Sequence, residues 1–195
     1  AKDFSMPKDN IQRAIDKGTG ADKDGVVIES VMYEGYGPGG VAMLVEAHTE
    51  NRNRTGSEVR HAFTSGGGNL AEPGAVAYLF EKKGLIVVDA TRWSEDDLMV
   101  AIDAGAEDIA VDEDVFEVLT EPADLPAVRE ALTGAGIEPE SAGVAQRPST
   151  QVPLEEAEAR KLMRLIDTLE ENDDVNAVHA NFDISGEVLE RLAAV

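Results

Sequence analysis

Cysteine is missing from the chain, which removes disulfides, thiolate metal sites and cysteine nucleophiles together and leaves nothing that argues for secretion. A reducing cytoplasm is the compartment that fits. No apolar run approaches the roughly 18 residues of a bilayer-spanning helix, and no basic start followed by an apolar stretch marks a signal peptide. Histidine is scarce as well. His48, His61 and His179 lie far apart, none sits in H-E-x-x-H, and no Asp or Glu stands beside them at metal-ligand spacing. No metal and no other cofactor is expected. G-x-S-x-G does not occur, and Ser57 and Ser65 fall at helix ends with no base placed beside them. Asp112-Glu113-Asp114 lacks the spacing and the glycine of an EF-hand and reads as an acidic hairpin turn. Together these absences predict a protein that is not an enzyme and takes no small-molecule substrate.

Positive charge is also in short supply. The 195 residues carry 17 Lys and Arg against 39 Asp and Glu, a net charge of −22, and a field of that sign repels a phosphate ligand. The distribution changes the argument, because residues 1–95 hold 11 Lys and Arg against 14 Asp and Glu, whereas residues 96–195 hold 6 against 25. One face can therefore approach a polyanion while the other turns away or meets a basic protein. Acidic surface that serves only solvation is an equally available reading of the second half.

Elements can be placed from pattern. Pro7 suits the first turn of a short helix running to Lys17, with Gly18 to end it and a polar linker over residues 18–25. Strands are expected at Val26 to Tyr33 and Val41 to His48. Thr55 and Glu58 form a T-x-x-E capping box for a helix that the triple glycine Gly66-Gly67-Gly68 stops. A hairpin follows, Ala75 to Glu81 and Leu85 to Ala90, joined through Lys82-Lys83-Gly84. Beyond Trp93 the order is helix (Glu95 to Ala104), strand (Asp108 to Val111), strand (Val115 to Leu119), helix (Leu125 to Leu132) and strand (Glu140 to Gln146). Between Pro148 and Pro153 lies a second linker. Leu162, Leu165, Ile166 and Leu169 then mark an amphipathic helix over Leu154 to Glu170. Val175 to Phe182 alternates as a strand, and Ser185 caps a terminal helix.

Two features carry chemistry. The loop Gly35 to Gly40 lacks G-x-x-x-x-G-K-[ST] and leads into a strand rather than a helix, so it is a poor nucleotide cradle. It reads as a tight turn presenting Tyr33 and Tyr36, either to stack on unpaired bases or to pack at a domain edge. The basic cluster is sharper. Arg52 and Arg54 stand just before the expected helix cap, where guanidinium forks and first-turn N–H groups together suit a phosphate. Asn51 and Asn53 add neutral donors, Arg60 and His61 follow one turn on, and Lys82 and Lys83 stand at the expected hairpin tip. The alternative is that Arg52 and Arg54 pair with Glu50 or Glu58 and brace the loop.

The run Tyr33-Glu34-Gly35-Tyr36-Gly37-Pro38-Gly39-Gly40, then Asn51-Arg52-Asn53-Arg54-Thr55, Gly66-Gly67-Gly68-Asn69-Leu70 and Val76 to Gly84 closely resembles the YebC/PmpR family. Its members are described mainly as probable transcriptional regulators and are related to a mitochondrial translational activator of cytochrome c oxidase. The resemblance extends upstream through Met6-Pro7-Lys8-Asp9-Asn10-Ile11-Gln12-Arg13-Ala14-Ile15, similar to the close of the family's N-terminal helical domain. Because the chain opens at Ala1 within that motif, it reads as a form lacking most of that domain. The resemblance, with the element count, implies an α+β fold of two small ferredoxin-like βαββαβ-type units, the second inserted into the first: residues 1–25 close the helical domain, 26–93 with 152–195 form the outer unit, and 94–151 the insert. It implies a non-enzymatic cytoplasmic factor that binds nucleic acid, DNA or ribosomal RNA, through Arg52, Arg54, Arg60, Lys82 and Lys83, with Tyr33 and Tyr36 as stacking positions. A ribosome-associated translation factor and an acidic protein-interaction module are the alternatives; no membrane partner is expected.

Overall fold

The computed structural model describes residues 27–112 and 114–193. The expected Pro7 to Lys17 helix and the 18–25 linker lie outside those residues. Two compact units emerge, one formed by the described residues up to Phe80 and from Pro148 onward, the other by the contiguous segment Glu81–Arg147.

In the first unit, β1 (Glu29–Tyr36) and β2 (Ala42–Thr49) form a hairpin at the centre of a four-stranded sheet; β3 (Asn69–Leu70) flanks β1 and β9 (Val175–Ala180) flanks β2, all antiparallel. Two short strands, β8 (Val152–Pro153) and β10 (Phe182–Asp183), pair in parallel. Helices α1 (Arg52–Ser65) and α4 (Glu156–Glu170) cover one sheet face. Every third or fourth residue of α4 is apolar, so Ala159, Leu162, Leu165 and Leu169 are buried against Met43, Val45 and Phe63, while Ile166 packs at the margin. The terminal helix α5 (Gly186–Ala193) adds Val188, and the Ser185 hydroxyl lies 3.4 Å from the Val188 N–H that it caps.

The second unit runs β4 (Phe80–Asp89), α2 (Met99–Asp103), β5 (Ala106–Asp112), β6 (Val115–Thr120), α3 (Leu125–Gly134) and β7 (Ser141–Pro148), with spatial order β5-β6-β4-β7. This is a βαββαβ order, completed by β4 at its start rather than by residues 94–151 alone. The first unit is likewise α+β but runs ββαβ, then βαββα after the insertion. β4, expected in the outer domain, pairs with β6 in the second sheet. At the junction Ser149 donates its N–H to Leu79 O at 2.8 Å and its hydroxyl to the same oxygen at 3.0 Å.

Two local expectations are corrected. The hairpin through Lys82-Lys83-Gly84 does not form, because Ala77–Leu79 makes a single 3₁₀ turn and β4 runs unbroken through all three residues. Gly84 is there for closeness: a Cβ would overlap the Thr120 hydroxyl and lie 3.1 Å from Leu125 Cβ. The helix start also differs. Asn51, not Thr55, is the N-cap of α1, accepting the Arg54 N–H at 3.1 Å, so Arg52 and Arg54 occupy the first turn instead of preceding it.

Gly35 and Gly68 of the first unit are packing residues. A Cβ on Gly35 would stand 2.7 Å from Phe63 Cε1 and 2.8 Å from Asn69 O. One on Gly68 would overlap the Tyr36 carbonyl oxygen and sit 3.1 Å from Gly37 Cα, and backbone atoms cannot swing aside. Gly68→Ala is therefore expected to destabilise the chain by about 2 kcal/mol, within the overpacking range, as measured by urea unfolding. An unchanged midpoint would show that β1 and the α1 terminus can separate freely.

Candidate nucleic-acid interface

α1 buries Thr55, Val59, Ala62 and Phe63. At 100° per residue this turns Asn53, Ser57, Arg60, His61 and Thr64 to the opposite side, with Arg52 at the helix start. All six are exposed. The hydroxyls are held along the helix, Ser57 donating to Asn53 O at 2.9 Å and Thr64 to Arg60 O at 2.9 Å, with Ser65 Oγ 3.4 Å from His61 Nε2. Arg52 and Arg60 lie eight residues apart, about 12 Å along the axis. Glu58 stands at the edge of this face, where its carboxylate accepts an amide N–H from Asn172 at 2.8 Å. The side of α1 away from the core thus carries the Arg60 guanidinium, an imidazole and short polar groups, and the Arg52 guanidinium is exposed on the first turn, in line with the core-facing side.

Arg54 plays a different part. Its Nη2 donates to Asp174 Oδ2 at 2.8 Å, and the same oxygen accepts the Thr55 hydroxyl at 2.7 Å and the Thr49 hydroxyl at 3.2 Å. Asp174 is 9% exposed. Burial pushes its carboxyl up, but Arg54, Thr55 and Thr49 together outweigh burial and hold it below the usual aspartate range. The bracing partner is therefore Asp174 rather than Glu50 or Glu58, and the Arg54 guanidinium stays half exposed beside it.

Tyr33 and Tyr36 are half-buried, each packed against neighbouring side chains. Tyr33 packs against the first core and donates its hydroxyl to Arg52 O at 3.3 Å. Burial raises its pKa most strongly, Arg52 lowers it and Asp174 raises it, with a net rise. Tyr36 packs beside Val76 and Phe80 and donates to Ala75 O at 3.4 Å. Lys82 and Lys83 belong to the second unit. Lys82 is exposed, whereas Lys83 donates to Glu107 at 2.9 Å and to Glu121, and these two carboxylates raise its pKa. Its charge is already answered.

Sequence spacing alone held the signal for Ser57 and Thr64, which fall with Arg60 and His61 at i, i+3, i+4 and i+7. Asp174 carried none, since 120 residues separate it from Arg54. His48 sits on β2, and His179 on β9 is buried with Nε2 3.1 Å from Glu46 Oε1. Among the described residues no group of three His, Cys, Asp or Glu is placed to hold a metal ion, and no helix is long and apolar enough to cross a membrane.

The architecture is therefore α+β, two units with the second inserted into the first, and Arg52, Arg60 and His61 exposed on a helix of the first. The family model described as "TACO1/YebC second and third domain" matches residues 28–182, and the chain belongs to that family. It is 54% identical over 190 residues to a "Probable transcriptional regulatory protein" of Acidothermus cellulolyticus, covering 97% of this chain and 77% of the relative. A protein of the same description from Rubrobacter xylanophilus is 53% identical, covering 99% and 78%. The crystal structure of a conserved hypothetical protein of Aquifex aeolicus superposes with a TM-score of 0.78 at 48% identity, covering 94% of this chain and 76% of that one.

Proposed function

We propose that this chain is a cytoplasmic, non-catalytic regulatory factor that grips a nucleic-acid backbone through the outer face of α1. The observation that carries this reading is the concentration of Arg60, His61, Asn53, Ser57 and Thr64 on one exposed helix face, with Arg52 exposed on its first turn, in a chain whose net charge is −22. Guanidinium groups and short hydroxyl or amide side chains are the groups that bind phosphate and sugar without reading base identity. Arg54 contributes from the edge of the same turn, and Asp174 positions it. Lys82 is a separate contact offered by the second unit. The relatives' description supports a role in transcription regulation, and DNA is the target this reading implies.

A second reading is a factor that binds ribosomal RNA. One observation favours it: α1 lies flat on its sheet through Thr55, Val59, Ala62 and Phe63, whereas DNA-reading motifs drive a helix into the major groove. A helix face that contacts only backbone suits a folded RNA at least as well as a duplex.

Binding of the chain to duplex DNA and to ribosomes across a salt series tests both. Arg52→Ala with Arg60→Ala is expected to weaken binding about tenfold or more at low salt and to reduce the slope of log affinity against log salt by about 2, one for each lost phosphate contact. Sequence-selective duplex binding supports the transcriptional role, and ribosome binding supports the translational one. Equal affinity of variant and parent for every target would overturn the assignment of α1.

A further inference from the structure

The second unit presents two opposite sheet faces. Residues paired across the strands share a face, and Ile109, Val118 and Ile86 with Phe116 and Val88 form the face packed under α2, α3 and the 3₁₀ turn before α2 through Leu98, Ala101, Val128 and Leu132. The other face is built from three cross-strand rows: Asp108–Leu119–Leu85, Ala110–Glu117–Val87 and Asp112–Val115–Asp89. Leu85, Val87, Val115 and Leu119 are partly buried, yet they do not join the core cluster. They form an apolar centre with Glu117 among them and Asp89, Asp108 and Asp112 at its corners.

The chemistry of this face selects its partner. Of the described residues on these three strands, alternation turns one cation to this side, Lys83, and Glu107 at 2.9 Å together with Glu121 already hold its ammonium group. No aromatic ring lies in the rows, so nothing offers a base a stacking platform, and the carboxylates repel phosphate. Cationic side chains with long aliphatic stems match both properties: the stems cover Leu85, Val87, Val115 and Leu119, and the heads reach Glu117 and Asp108, Asp89 being already held by the Thr91 N–H and hydroxyl. Lys83 is an internal example of that arrangement. We infer that this sheet face of the second unit docks a basic protein segment in which Lys or Arg alternates with aliphatic residues. This surface is independent of the α1 face and of the proposed nucleic-acid binding.

The test is a methyl-NMR titration of the full chain with a peptide of about ten residues alternating Arg and Leu, long enough at about 3.3 Å per residue to cross the sheet. The Leu85, Val87, Val115 and Leu119 methyls should shift, and the affinity should fall as salt rises from about 50 to about 200 mM. Glu117→Gln with Asp108→Asn, which keeps side-chain volume, should weaken binding by about tenfold or more while leaving the unfolding midpoint in place. Peptide-induced shifts confined to other regions, or undiminished binding by the double variant, would overturn the inference. So would a single-stranded oligonucleotide that moves the same methyls, or movement of those methyls with protein concentration alone, which would make the face a contact between copies.

Discussion

Replacing Asp174 by alanine should destabilise the first unit by about 3 kcal/mol, the range for deleting a buried charged acceptor that several donors share. One oxygen of Asp174 takes the Arg54 guanidinium and the hydroxyls of Thr55 and Thr49, and Thr49 and Thr55 are each no more than 1% exposed. The two threonine hydroxyls also lie 2.8 Å apart, so the variant leaves a coupled buried pair short of its acceptor. Arg54→Ala should cost much less, because its guanidinium is 45% exposed and solvent screens the pair. Urea unfolding of the two variants gives the comparison directly. Equal effects would mean that the ion pair dominates and the hydroxyl network does not. Acid sensitivity follows from the same contacts. A carboxyl whose folded pKa lies below its unfolded value of about 3.9 contributes stability that is fully present above that value and is lost as pH falls through the folded pKa. In Asp174→Asn the acid limb of the stability profile should therefore be shallower than in the parent chain.

Glu34→Ala is expected to cost a similar amount, about 3 kcal/mol, by a different route. Glu34 is 7% exposed, and its carboxylate accepts N–H bonds from Gly74 at 2.6 Å and from Val76 and Ala77 at 2.8 Å each. Burial is the largest influence on its pKa and raises it, but the three N–H groups together prevail and hold it below the usual glutamate range. The side chain thereby fixes the turn at Gly74, where φ is +90°, and seats Val76 and Phe80 against Ala42 and Leu44. Without it three N–H groups lose their acceptor, and Val76 loses the anchor that keeps it buried. Hydrogen exchange reads the result locally, since protection at the Gly74, Val76 and Ala77 amides should fall below that of β2. If all three amides stay protected, the turn is held by packing alone. Glu34→Gln should also be damaging, because its amide donor would face an N–H.

Periodicity made most of the fold legible. The α4 stripe, the β1 and β2 strands and the helix-strand-strand-helix-strand order after Trp93 follow from spacing, turn residues and length, which are local properties, whereas the sheet that β4 joins does not. Misreadings arose where a residue with a strong local meaning served a distant contact. Gly84 looked like a turn but makes room for Thr120 and Leu125. Thr55 looked like a helix cap, yet its hydroxyl is spent on Asp174, and Asn51 four residues earlier takes the cap. The basic cluster was visible as composition, but its division was not. Whether a cation faces solvent or a carboxylate depends on residues far along the chain, Asp174 being 120 positions from Arg54 and Glu107 and Glu121 24 and 38 from Lys83, so Arg54 and Lys83 could not be separated from Arg52 and Arg60 by sequence.

The insertion between Phe80 and Pro148 also sets an order of events during synthesis. The second unit is contiguous, and all its pairing partners have been made once Arg147 emerges. The first sheet must wait, because β2 pairs with β9 through contacts such as Leu44 with His179, and β9 is made last. Closing so long a loop costs entropy that only late contacts repay, which slows folding. The nascent chain therefore carries the β1–β2 hairpin and α1 with Met43, Val45 and Phe63 uncovered until α4 arrives. Premature termination anywhere between Arg147 and Glu170 would release a finished second unit tethered to an open, aggregation-prone first one.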